Sequence, residues 1–179
     1  NCRLENNAMN ILLEHIHKKT EVFSKKPLFL YLADDAMPVD ERLLFAPCMA
    51  HFVFSFMDIN RFVLPDITGN SECHKLINVH ADEDAWHWPW YLQDLISMQL
   101  DPLLPFSDAL RFLWGEATRR SRFLSYRCIA MIGRATVIQK IAIVETIEMT
   151  GKVFLDHTAD LCTLWPDAPA EMMYFGKNH

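Results

Sequence analysis

Glycine is rare in this chain, and no long stretch alternates apolar with polar residues. Only five of the 179 residues are glycine, and strict alternation is the pattern that predicts a half-buried strand. Apolar residues recur instead at helical spacing, as with Met9, Leu12, Leu13 and Ile16 near the start,. The sequence therefore predicts an all-α protein. We expect one helical-bundle domain over residues 1–179, with about six or seven helices.

Prolines and turn-forming residues set the expected helix boundaries. Pro65 ends a segment that is apolar almost all round, and Pro47 is expected to kink that segment early. The expected helices cover residues 7–21, 40–63, 75–99, 107–121 and 126–155, the last of these with Gly133 and Gly151 inside it. A loop over 163–171 then precedes a last helix that is incomplete.

Composition excludes several classes of function. The net charge is −6 with both signs mixed, which argues against nucleic acid as a partner,. The five cysteines are scattered without a CxxC motif, which favours a reduced, intracellular protein over a disulfide framework,. No apolar run approaches the roughly 20 residues of a membrane span, and no signal peptide is visible. We therefore expect a cytoplasmic protein that does not bind a membrane.

One segment, INVHADEDAWHWPWYLQDL at residues 77–95, carries an unusual density of polar groups. On a continuous helix, His80, Glu83, Asp84 and His87 stand at i, i+3, i+4 and i+7 and share one face. Such a stripe is either a solvated charged face or a set of ligands directed into the bundle.

The residues around this stripe favour burial. Trp86, Trp88 and Trp90 interleave with it, and large apolar rings are costly to leave in water,. Pro89 removes a backbone hydrogen bond and is expected to kink the helix just past His87. The kink could redirect a ligand, or it could be only a packing adjustment.

A second acidic pair lies in the later helix. Glu145 and Glu148 are one turn apart in the otherwise apolar stretch IAIVETIEM. Buried carboxylates need a positive partner. In helical bundles, Glu and His that project inward from facing helices hold metal ions, and His with carboxylates favours Fe or Mn over structural Zn. The alternative is that both glutamates lie at the polar edge of an amphipathic helix.

The order of these features resembles the heme-oxygenase-like helical bundles. It is most similar to the branch of iron-containing redox enzymes and diiron oxidases, which is related to thiaminase II and to pyrroloquinoline-quinone synthase-like proteins. The resemblance covers most of the chain. It rests on the His80–His87 helix followed by WPWYLQDL, on the glutamate helix that runs into TGKVF, and on the terminal YFGKNH.

The resemblance implies a non-heme, dinuclear iron oxidase or oxygenase that acts with O₂ on a small organic substrate. Iron, or an iron–manganese pair, would be the cofactor, and a homodimer stays open. The family's ligand pattern maps onto His80, Glu83, His87, Glu145, Glu148 and His179, with the choice between the two later glutamates left open. Tyr91, Trp86 and Trp90 would line or shield the substrate pocket.

The same resemblance implies that the last helix is held by its metal ligands. Without metal, that helix keeps its ordering cost but loses its tether. We therefore expect residues after Trp165 to be the loosest part of the fold, with His179 near the His80–His87 stripe.

Two other functions stay open. Thiaminase-like relatives on this bundle use a cysteine nucleophile with Tyr and Glu helpers, and Cys128 near Tyr126 is the candidate here,. A metal-free scaffold or interaction protein could also use the same fold, because fold alone does not determine function.

Overall fold

The computed structural model describes residues 2–165 and 172–177, with side chains from residue 10 onward, and every regular element in these ranges is a helix. Seven helices have nine residues or more and two are shorter, which confirms the expected all-α bundle. The helices are α1 (Cys2–Phe23), α2 (Pro27–Leu32), α3 (Val39–Arg42), α4 (Ala50–Asp58), α5 (Glu72–Asp84), α6 (Trp88–Ser97), α7 (Phe106–Trp114), α8 (Arg119–Ile132) and α9 (Val137–Thr163).

The helix expected over 126–155 is in fact parts of two helices. Gly133 is the C-cap of α8, and α9 begins after Thr136. The Thr136 hydroxyl accepts a hydrogen bond from the backbone N–H of Gln139, whose side-chain oxygen accepts one from the backbone N–H of Thr136. This capping box satisfies two otherwise unpaired N–H groups, so a new helix starts there. The helix expected over 107–121 is likewise divided, between α7 and α8.

The segment from Val39 to Val63 changes helical type along its length. A 3₁₀ turn at Ala46–Met49 precedes α4, and a π-helical turn at Ile59–Val63 comes after it. In the π turn the backbone N–H of Leu64 donates to the carbonyl of Ile59 at 2.8 Å, five residues back. An 18-residue stretch within this segment has a mean hydropathy of 1.4, so by length and composition alone the segment could cross a membrane, and the expectation that no apolar run approaches that length is wrong. The core helix of a soluble protein can have the same properties.

Packing fixes α5 against α9, which is the arrangement that matters for the site. Ile77 and Ala81 of α5 are buried in a cluster with Ile59 of the π turn and with Cys128 and Ile132 of α8. Side chains of α9 pack on the same cluster. Full burial of each large aliphatic side chain contributes roughly 1.5–3 kcal/mol. One face of α5 is thereby held in the core, while the neighbouring face lies along α9.

The segment 172–177 is a series of bends and a turn, not the beginning of a helix. Asp94 of α6 is fully buried, and its carboxylate accepts hydrogen bonds from the backbone N–H groups of Met173, Tyr174 and Phe175 at 2.8–2.9 Å. Phe175 is also fully buried. Packing and these bonds anchor the segment, which differs from the expectation that metal ligands tether it.

Candidate metal centre

The continuous helix expected over 75–99 is interrupted beside the polar stripe. α5 ends at Asp84, and α6 begins after His87 with Pro89 in its first turn. Proline fits there because the N–H groups of a first turn have no helical partners. Pro89 therefore starts a new helix and does not kink an existing one. The helical wheel holds for His80 and Asp84, but not for residues beyond the break.

Three side chains from α5 and α9 converge between the two helices. His80 and Asp84 are one turn apart and share a face of α5, and Glu148 projects from α9. Nε2 of His80 lies 3.2 Å from Oδ2 of Asp84 and 3.8 Å from Oε1 of Glu148. One ligand atom from each of the three residues lies within 4.8 Å of the other two. The three groups are therefore close enough to share one metal ion.

In the described part of the chain, His80 has a ring nitrogen without a hydrogen bond, as coordination to a metal ion would require. Its Nε2 atom is buried, and it makes no hydrogen bond to any residue that the structure describes, despite its closeness to Asp84. Buried ring nitrogens normally have a partner, and a cation between this nitrogen and the two carboxylates would supply one. Imidazole with carboxylates and without thiolate favours Fe or Mn over structural Zn. The residues present fit a divalent metal.

Burial shifts the pKa values of Asp84 and His87 in the directions that favour their uncharged forms. Desolvation raises the pKa of Asp84, against the opposing effects of the His80 charge and of a hydrogen bond with Glu148. Desolvation also lowers the pKa of His87, against the charge of Glu148. A bound dication would reverse the effect on the carboxylates, because it favours their ionised form, and would reinforce the neutral form of the imidazoles.

His87 approaches the site from the other side of Asp84. Its Nδ1 atom is 3.8 Å from Oδ1 of Asp84, and its ring stacks on Trp90 with centroids 4.8 Å apart. The Asp84 carboxylate thus lies between two imidazoles, one near each oxygen.

A cavity of about 390 Å³ opens beside these residues, and we call it the His80-side cavity. Asp84, His87 and Glu148 form part of its wall. Much of the remaining wall is apolar or aromatic, including Phe52, Phe56, Trp88, Ile147, Leu155 and Tyr174. The pKa of the Tyr174 hydroxyl is raised by burial and by the charge of Asp84, so this hydroxyl stays protonated. The cavity can hold a small, largely apolar molecule next to the ligand group.

Several residues expected in the ligand set do not join this group. Glu83 is exposed, because its side chain is rotated about 100° around α5 from that of Asp84,. Glu145 is half-buried one turn before Glu148 on α9 and is not part of the three-residue group. His179 lies outside the described residues.

Two of the aromatic residues expected at the pocket lie elsewhere. Tyr91 is fully buried in the core, where its hydroxyl donates to the carbonyl of Ala46 at 2.9 Å, so it does not line the His80-side cavity. Trp86 is 56% exposed and lines a different cavity. Trp90 contacts the site through its stacking on His87.

Sequence reasoning missed the role of Asp84. It stands on the stripe but is absent from the expected ligand set, although an i, i+4 pair on one helix was the available signal. The participation of Tyr174 had no such signal, because it depends on the anchoring of segment 172–177 by Asp94, about 80 residues away in sequence.

The thiol alternative is not supported by the surroundings of Cys128. This residue is 3% exposed, among apolar side chains, and burial raises the pKa of its thiol. A reactive cysteine needs an accessible sulfur with a lowered pKa. Tyr126 is half-exposed and contacts His51 instead.

No model of a known protein family matches this chain, and no curated protein matches it.

Proposed function

We propose that this protein is a non-heme iron oxidase or oxygenase that acts on a small organic substrate in the His80-side cavity. The observation that carries the proposal is the convergence of His80, Asp84 and Glu148 within 4.8 Å of one another, with Asp84 and Glu148 at the wall of that cavity. Bound iron would supply the electrons and the binding site for O₂. The resemblance to heme-oxygenase-like diiron proteins supports the same assignment.

The residues of the chain have separate tasks in this proposal. Nε2 of His80 and the carboxylates of Asp84 and Glu148 would hold a first metal. His87, whose Nδ1 atom lies 3.8 Å from Oδ1 of Asp84, would with that carboxylate be the candidate for a second metal. Phe52, Phe56 and the other apolar residues of the wall would contact the substrate and hold its C–H or C–N bond near the ligand group,.

Metal content of the full chain tests the proposal. Protein expressed with added iron should retain iron or manganese after desalting and should consume O₂ when Fe(II) is supplied. Asp84→Asn and His80→Ala should each lower metal affinity at least about tenfold, the lower end of losses seen even for outer-shell changes.

Glu83→Gln is the matched control, because Glu83 neighbours Asp84 in sequence but is exposed. It should retain the metal content of the unmodified chain. Two results would contradict the proposal and favour a metal-free interaction protein. One is equal metal retention in all variants. The other is an unmodified chain that retains no metal and consumes no O₂.

A further inference from the structure

Gly151 lies at the centre of the wall that α9 gives to the His80-side cavity. The residues of α9 that line this cavity are Ile147, Glu148, Gly151, Lys152, Leu155 and Asp156. They share one face of the helix, because residues four positions apart differ in direction by only about 40°. On this face Gly151 stands between Ile147 and Leu155, one turn from each. A side chain at position 151 would therefore project into the cavity.

Neither packing nor backbone conformation requires a glycine at this position. A Cβ atom placed on Gly151 meets no atom of the described part of the chain within 4 Å. The φ angle of Gly151 is not positive, so any residue could adopt this backbone conformation,. Glycine also destabilises a helix interior relative to alanine. What the glycine provides is space, and that space belongs to the cavity.

This space, which we call the Gly151 niche, is bounded along α9 by Ile147 and Leu155 and lies beside the proposed metal group. Glu148 precedes Gly151 by three residues, and residues three apart are neighbours on a helix surface, with roughly 5–6 Å between their Cβ positions. Oε1 of Glu148 is 3.8 Å from Nε2 of His80. The group that fills the niche is therefore held next to the metal ligands.

Aromatic rings form much of the remaining wall. Phe52 and Phe56 of α4 have nearly parallel rings, with an angle of 19° between the planes and centroids 5.7 Å apart. Trp88 of α6 and Tyr174 of the segment 172–177 add two more rings. Such walls bind flat rings by offset stacking and edge-to-face contact. A cavity of roughly 150 Å³ holds one benzene ring, so the 390 Å³ of this cavity have room for two fused rings.

We propose that the substrate of this cavity is an uncharged, planar molecule of two fused rings, and that Gly151 selects it by leaving room for the second ring. One ring lies among the aromatic side chains of the wall, and the other fills the Gly151 niche beside Glu148. At the same wall Lys152 and Asp156 pair with each other at 2.9 Å, so this pair presents no net charge to an ionic group. The inference rests on the function proposed above, because it names the substrate class of the same site.

Three alcohols of different shape test the inference. 2-Naphthol has two fused rings, phenol has one ring, and 1-octanol is a linear chain. The full chain is titrated with each of them in the presence of a chelator, so the result does not depend on whether iron binds. The NMR signal of the Trp88 indole, at the cavity wall, reports binding. We expect 2-naphthol to bind at least about tenfold more tightly than phenol, because the second ring is also buried, and more tightly than 1-octanol.

Variants at position 151 identify the niche. Gly151→Leu should weaken 2-naphthol binding at least about tenfold and phenol binding much less, because one ring still fits among the aromatic side chains. Gly151→Ala, which adds one methyl group, should have a smaller effect in the same direction. Thr146→Leu is the matched control and should change neither affinity. Thr146 is exposed on α9 and is rotated by about 140° from Gly151, away from the cavity,.

Metal content separates this inference from the proposed function. Gly151→Leu should retain as much iron as the unmodified chain, because position 151 supplies no ligand. A chain that binds no iron but keeps the preference for 2-naphthol would contradict the metal function and support the ring site.

Three results would overturn the inference. The first is the absence of saturable shifts with 2-naphthol up to about 4 mM, the weakest range expected of a ligand of this size. The second is phenol or 1-octanol binding as tightly as 2-naphthol. The third is 2-naphthol binding that Gly151→Ala leaves unchanged, together with unchanged binding in Gly151→Leu or a Gly151→Leu chain that does not fold.

Discussion

Replacing Asp94 by Asn should detach the segment 172–177 while leaving the rest of the bundle folded. One carboxylate oxygen accepts the N–H of Met173, and the other accepts those of Tyr174 and Phe175. Asn has one oxygen, which can keep the last two bonds, but its NH₂ group then faces the N–H of Met173. The change removes one hydrogen bond and brings two N–H donors, the introduced side-chain amide and the Met173 backbone, against each other. It also weakens the two remaining bonds, because they are no longer charge-assisted.

The expected cost is about 2–4 kcal/mol, because hydrogen bonds to charged groups contribute about 1.5–3 kcal/mol and neutral ones about half as much. The segment itself is held further by the burial of Met172 and Phe175, each worth roughly 1.5–3 kcal/mol,. The cost of Asp94→Asn is therefore comparable with the free energy that burial of Met172 and Phe175 contributes to holding the segment. The segment should detach locally, so the free energy of unfolding of the whole chain falls by no more than the cost of that detachment.

Hydrogen exchange detected by mass spectrometry measures the detachment of the segment, and urea unfolding measures the free energy of unfolding of the whole chain. Backbone amides of 172–177 should exchange at least about tenfold faster in Asp94→Asn, since each 1.4 kcal/mol corresponds to a factor of ten. Asp101→Asn, at an exposed aspartate after α6, is the control and should change neither measurement. Equal protection of the segment in both variants would refute the role of Asp94 as its anchor.

Three other changes test separate parts of the fold. Gly151→Ala should raise the free energy of unfolding by about 0.5–1 kcal/mol, because a Cβ there meets no atom within 4 Å and Ala is the better helix former; a lower urea midpoint would contradict this. Lys140→Met should cost about 1.5–3 kcal/mol through the lost charged hydrogen bond to Leu64,, and an unchanged midpoint would show that this bond is dispensable. Thr68→Val should raise the pKa of the Asp66 carboxyl from about 2, since the hydrogen bond from the Thr68 hydroxyl is the largest cause of its low value. In the unmodified chain, the ionised Asp66 carboxylate stabilises the fold above its ordinary pKa, and this stabilisation is lost as the pH falls through about 2,. In Thr68→Val the loss should occur at higher pH. An unshifted NMR titration of Asp66 would show that the Thr68 hydroxyl does not lower its pKa.

The sequence predicted the fold class because its signals are local. The low number of glycines and the helical spacing of apolar residues predicted an all-α chain, and the structure confirms this fold class. The helix ends were predicted less well, although part of the information was present. Thr136 and Gln139 have the spacing of a capping box, and Pro89 is typical of a first helical turn. The expected helices nevertheless ran through both places.

The candidate site was predictable only in part for the same physical reason. His80 and Asp84 are related by one helical turn, so their proximity results from local geometry. The pairing of His80 with Glu148 rather than with Glu145 depends on how α5 and α9 pack, and the anchoring of Tyr174 by Asp94 depends on contacts across about 80 residues. Hydrophobic periodicity carries no information on either.

The π turn at Ile59–Val63 should be recognisable in related chains from the number of residues between α4 and Pro65. A turn closed by a bond five residues back contains one residue more than an α-helical turn,. Deleting one residue there would restore the α-helical bond and remove the wide turn, with little rotation of α4 relative to the segment that begins at Leu64, because the wide turn accommodates its extra residue locally,. Asn60 would then leave its place beside Trp86. In a related chain one residue shorter between α4 and Pro65, the cavity that Asn60 and Trp86 line should be absent while His80, Asp84 and Glu148 remain together. Single-residue insertions and deletions at this turn should therefore separate chains that have this cavity from chains that do not.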